Sequence, residues 1–220
     1  MNISRDDGKT WKAAPSHGKP DWRAGATSVR FAGIHNAVAQ LADGRIIAFG
    51  RFDTAADQEK FGFRTPVGFS SDLGQTWTLE ASEFPAIGSV QRAVLLRLRE
   101  GPLLFCSFTD EQRYWSKRKG MTFQCDGGEF TGYGLFAAVS FDEGKSWPVR
   151  RLITPGGPER MLPSVDHREF TLSATMSEAA GYLGICQTRD DLIQLISSKN
   201  HYIFNLSWLK ELPPKPTRAE

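Results

Sequence analysis

Apolar residues recur along the chain in three segments built alike: HNAVAQLADGRIIAFGR from His35, RAVLLRLREGPLLFCSF from Arg92 and YLGICQTRDDLIQLISS from Tyr182. In each, a mostly apolar stretch runs into a turn eight and nine residues on (Asp43-Gly44, Glu100-Gly101, Asp190-Asp191), and a second apolar stretch follows. Near-continuous hydrophobicity predicts strands covered on both faces, paired through these turns. Extending the pattern predicts strands near 35–41, 45–51, 66–71 and 77–80 in one unit, and near 91–98, 102–108, 133–140 and 147–153 in the next. The last unit takes 181–187, 192–198 and 202–209, and the polar, proline-rich residues 210–220 are expected to be disordered.

A second repeat runs between the first. SRDDGKTW (Ser4–Trp11), SSDLGQTW (Ser70–Trp77) and SFDEGKSW (Ser140–Trp147) all fit Ser-x-Asp-x-Gly-x-(Ser/Thr)-Trp, with Asp6, Asp72 and Asp142 spaced 66 and 70 residues apart. The Asp carboxylate suits the backbone amides of its own turn, Gly supplies a positive φ, and Trp is placed to pack inward. Spacing of this length suits a blade of a propeller that carries one long loop. The residues of the repeat are scaffold and are assigned no chemistry.

Composition narrows the function classes. A net charge of +2, with no basic run longer than Lys117-Arg118-Lys119, gives no reason to expect a nucleic acid or a membrane surface as partner. No apolar run reaches membrane-spanning length, and the polar start MNISRDDGKTWK lacks the apolar core of a signal peptide, so the compartment stays open. Cys106, Cys125 and Cys186 are scattered without metal-ligand spacing and read as free thiols.

The octapeptide resembles the Asp-box of the sialidase superfamily and related propellers. The resemblance implies an all-β, six-bladed β-propeller, of which this chain would be the C-terminal half: the end of one blade plus about three blades over residues 1–209. Its partners would be a glycan substrate and either a missing N-terminal half or a second copy. In that family a tyrosine nucleophile attacks beside a carboxylate, aided by a glutamate, an acid/base aspartate and three arginines that grip the carboxylate. Tyr182, followed by strand, turn and strand, resembles the nucleophile segment, and Arg51 resembles the second carboxylate-binding arginine. No cofactor or metal is implied.

By register, His35, Arg92 and Tyr182 begin the three inner strands and would ring one axial pocket. His35 stands where the family's glutamate would be expected, as a base or as a ligand for a sugar hydroxyl, and Glu178 is the alternative carboxylate. Arg92 is placed for substrate contact. DGGEFTGYG, around Gly132 and Tyr133, offers no third arginine, so Arg113 and Arg118 in the loop 109–131 are candidates, with Trp115 beside Tyr114 for stacking on a sugar ring. Arg168 in Asp166-His167-Arg168-Glu169 is a further candidate contact, and neighbours in that run point different ways, so no metal is expected there. The resemblance implies an exo-sialidase-like glycoside hydrolase in the full-length form, with these residues inactive alone. The alternatives are a propeller that binds glycan or protein without turnover, and a purely structural blade array.

Overall fold

The computed structural model describes residues 2–13, 27–28, 33–165, 167 and 169–216. It is mostly β, in several antiparallel sheets. The first sheet runs, from one edge, Ile34–Gln40, Ile46–Arg51, Arg64–Ser70 and Trp77–Pro85, with the short strand Thr27–Ser28 on the far edge. The second repeats the order with Val94–Arg97, Leu103–Phe108, Leu135–Ser140 and Val149–Leu152. The third has Gly184–Gln187, Ile193–Ile196 and His201–Phe204.

The hairpin joining the first two strands is the same in all three sheets. Leu41 donates its N–H to the Arg45 carbonyl at 2.8 Å, Leu98 to Pro102 at 2.9 Å and Thr188 to Leu192 at 2.8 Å. The residue needing a left-handed backbone falls at one position each time: Gly44 (φ 88°), Gly101 (φ 108°) and Asp191 (φ 64°). Glycine does this without strain, and aspartate is among the residues that tolerate it.

The Asp-boxes close the same ends of the strands as these hairpin turns, Ser70 pairing with Ile46 and Ser140 with Leu103. In the third, Ser140 Oγ donates to Asp142 at 2.9 Å and accepts the Gly144 N–H at 2.8 Å, while Asp142 also accepts the Ser146 N–H (2.8 Å) and hydroxyl (2.6 Å). The second box repeats this wiring through Ser70, Asp72, Gly74 and Thr76, and the first through Ser4, Asp6, Gly8 and Thr10. Two successive residues are left-handed in each: Asp7 and Gly8, Leu73 and Gly74, Glu143 and Gly144. The sequence pattern exposes only the glycine, because the position before it varies in type.

Two of the three box tryptophans are buried as expected: Trp77 is 1% and Trp147 4% exposed, while Trp11 is 64% exposed. Trp147 sits between the first and second sheets, edge-on to Phe49 and Phe84 at 5.8 and 5.5 Å between ring centroids. Phe105 joins them, 4.4 Å from Phe49. One continuous core extends from there through Leu104, Phe136 and Leu183 to Leu195, Tyr202 and Phe204 of the third sheet. Ala48, alternating with Ile47 and Phe49, faces the other way into a small cluster with Phe52, Phe61, Trp77 and Leu79. Glu143, gripped by Arg97 at 2.6 Å within the second sheet, accepts the Ala42 N–H at 2.7 Å across the sheets, tying the first hairpin turn to the third box.

Three local differences from the strand pattern have local causes. The strand expected over 202–209 stops at Phe204, because the Asn205 side chain accepts the Trp208 N–H at 2.8 Å and starts the helix Leu206–Lys210. Beyond that helix, the Glu211 carbonyl accepts from Arg151 (2.6 Å) and the Pro213 carbonyl from the Asp126 N–H (2.8 Å). The loop 109–131 holds a 3-10 segment, Gln112–Lys117, and most of a hairpin, Met121–Cys125 with Gly128–Gly132. A helix at Ala55–Lys60, capped by Thr54, fills the connection after Arg51.

Candidate functional site

The segments that lead into the first strands of the second and third sheets lie side by side. Gln91–Arg92 and Gly181–Tyr182 form a short parallel ladder with Tyr182 opposite Arg92. Tyr182 is held there by its N–H, which donates to Ser198 Oγ at 2.9 Å, and its side chain is left 43% exposed.

His35 reaches the same place from the first sheet by leaving its strand. Ile34 pairs with Arg51, the register then slips before Ala37, and His35 takes φ 53° at the bulge. Gly33 makes the crossing feasible, since a Cβ there would collide with the Arg51 carbonyl. The outcome is an imidazole whose ring centroid lies 5.3 Å from that of Tyr182, tilted by 53°.

Arg51 lies beneath this pair with its guanidinium carbon 5.7 Å from the centre of the Tyr182 ring, a cation–π arrangement. It is 4% exposed. One terminal nitrogen donates to the Gln91 carbonyl, and Nε pairs with Asp53 at 3.1 Å. Arg51 is thus a fixed cation under an exposed ring, with part of its donor set already spent. Partial burial first, then the charges of Arg51 and Arg92, lower the pKa of His35 below its ordinary value, against an opposing pull from Asp53. The imidazole therefore stays neutral at pH 7 and can accept a proton.

The other candidates divide. Arg113 donates through Nε to Glu111 at 2.7 Å and reaches the Asp53 carbonyl at 3.1 Å, so it borders the Arg51–Asp53 pair. Arg118 stacks over Tyr133, 4.9 Å from the ring centre, against the second sheet. Arg168 and the side chain of Trp115 lie outside the described residues. Glu178 is fully buried and accepts hydrogen bonds from Tyr202 Oη (2.9 Å) and Ser197 Oγ (2.8 Å). Its carboxylate serves Tyr202, whose hydroxyl pKa is pushed up by burial and then by Glu178.

Beside Tyr182 a cleft of about 580 Å³ opens, walled by Val90, Phe170, Met176, Ala180, Ser198 and Lys199. Val90 holds φ 63°, unusual for a β-branched residue, immediately before the Gln91–Arg92 ladder. Three residues of the cluster escape a reading of the sequence: Asp53, Ser198 and Gln91. Asp53 follows Arg51 by two positions and could have been found as its partner. The side chains of the other two bond backbone groups of other segments, which leaves no pattern in residue type.

No protein-family model matches the chain, and no curated protein matches it either.

Proposed function

We propose that the chain is part of a sialidase-like β-propeller and that His35, Arg51, Arg92 and Tyr182 form its glycan site. The observation that carries this reading is the exposed Tyr182 ring standing between a neutral imidazole and a buried arginine, at the meeting point of strands from three sheets. The repeated sheet, repeated hairpin and repeated Asp-box support the propeller. Glycosidases that act on sugars bearing their own carboxylate favour a neutral phenol as nucleophile, since an anionic one would be repelled. In the reaction we propose, Tyr182 Oη attacks the anomeric carbon and its proton passes to His35, while the leaving group departs with the bonding pair. Arg92, exposed beside Tyr182, supplies a cation for an acidic sugar, and Arg51 lowers the cost of charge on the phenol oxygen.

The nucleophile is tested with an acidic fluorosugar, whose fluoride leaves without a general acid, so that the result reports attack alone. Peptide mapping by mass spectrometry should find the glycosyl adduct on Tyr182 and none in Tyr182→Phe. An adduct elsewhere, or none, contradicts the nucleophile role. A second reading, glycan binding without turnover, is favoured by one observation: the Tyr182 hydroxyl has no hydrogen-bond partner among the described residues, and Glu178 is committed to Tyr202. It predicts binding that survives in Tyr182→Phe, with no adduct in either protein.

A further inference from the structure

We propose that Gln91 is the positioning residue of this cluster, a role that rests on the reading of His35, Arg51 and Tyr182 as a site. Gln91 has no exposed surface, yet every polar group of its side chain is used. Its amide nitrogen donates to the Asp110 carbonyl at 2.8 Å and the Ala179 carbonyl at 2.9 Å, and its oxygen accepts the N–H groups of Gly88 (3.1 Å) and Gln112 (3.3 Å). Its own main-chain carbonyl accepts from Arg51. These partners are the loop after the first sheet, the loop after the second strand of the second sheet, and the loop leading into Tyr182.

The consequence is a register. The ladder that puts Gly181 opposite Gln91 is the one that puts Tyr182 opposite Arg92, and Leu183 continues it through its N–H to the Arg92 carbonyl at 3.3 Å. Gln91 thus fixes Tyr182 from one side and Arg51 from the other, and their separation sets the distance from Tyr182 to His35. Residue chemistry explains the choice. Glutamate has the same size but lacks both donors, methionine lacks donors and a strong acceptor, and asparagine is one methylene short. Gly88 belongs to the same arrangement, because a Cβ there would run into the Glu111 carboxylate.

The test is the contact between the His35 and Tyr182 rings, read as a nuclear Overhauser effect in protein with labelled aromatic side chains, with no glycan present. Gln91→Glu and Gln91→Met are compared with Ser140→Ala, which removes Asp-box bonds at the opposite end of the strands. The expected result is loss of the ring contact in both Gln91 variants, with native-like dispersion elsewhere, and its retention in Ser140→Ala. Adduct formation on Tyr182 should fall with the contact. Persistence of the contact in either Gln91 variant overturns the proposal. So does its loss in all three proteins, or failure of both Gln91 variants to fold while Ser140→Ala folds, since Gln91 would then serve general stability. Because the ring contact needs no ligand, the proposal can fail while the glycan reading stands, and the reverse.

Discussion

His35 holds a left-handed backbone at a bulge, a conformation that costs about 1 kcal/mol or more for a residue other than glycine and persists where the surroundings impose it. What the surroundings obtain is a neutral imidazole against Tyr182. Because the folded-state pKa of His35 is lowered, the unfolded chain takes up the proton first as pH falls through about 6.5. The contribution of His35 to stability is therefore complete above that pH and shrinks below it. Replacing it with Asn, which tolerates the left-handed backbone and does not titrate, should flatten this part of the pH dependence. Denaturant unfolding at pH about 7.5 and about 5.5 measures it, and an unchanged slope contradicts the assignment. The Asp-box carboxylates behave in the same sense at lower pH. The Ser146 hydroxyl and N–H, outweighing burial, hold Asp142 below the usual carboxylate range, so its contribution is present above that range and lost as pH falls through its folded pKa. Asp142→Asn should cost about 1 kcal/mol near neutrality, the net worth of exposed hydrogen bonds, and less in acid. An equal cost at both pH values would show that the charge is irrelevant.

Among the elements, the box tryptophans give the sharpest contrast. Trp147 closes the aromatic core between two sheets, whereas Trp11, in a turn of the same wiring, stays exposed. Trp147→Ala should destabilise by about 3–5 kcal/mol and Trp11→Ala by about 0.5 kcal/mol or less, measured by urea unfolding. Comparable losses would mean that Trp11 is covered in solution. The strands were legible because runs such as IIAFGR and LLFCSF are apolar on both faces, and because Gly44, Gly101 and Asp191 mark one turn three times. The end of the last strand was not legible. HYIFNLSW reads as continuous β hydrophobicity until the Asn205 side chain bonds to the backbone three residues on and turns the chain into a helix. The candidate site was legible to the extent that side chains recur in phase: His35, Arg92 and Tyr182 begin equivalent segments. The bulge that moves His35, the burial of Arg51 and the cross-sheet bonds of Gln91 depend on contacts 17 to 88 residues apart, which periodicity does not carry.

Across the whole molecule, one construction serves two ends. Asp-boxes and the Arg97–Glu143 pair lock the strands at one end. At the other, Arg51 at the end of a second strand and Tyr182 at the start of an inner segment are free to face each other. Loops there vary in length and content while the core between the sheets stays aromatic and aliphatic, the usual division between scaffold and site. The proposed function requires that His35, Arg51, Arg92 and Tyr182 receive a glycan. The direct measurement is a titration of the chain, labelled in its tyrosine and histidine rings, with a sialylated oligosaccharide up to millimolar concentration, followed by NMR beside a neutral control sugar. Saturable shifts at Tyr182 and His35 with the acidic glycan, weakened in Arg92→Ala and absent for Tyr202, are the predicted result. Shifts confined to other rings, or none at all, would contradict it.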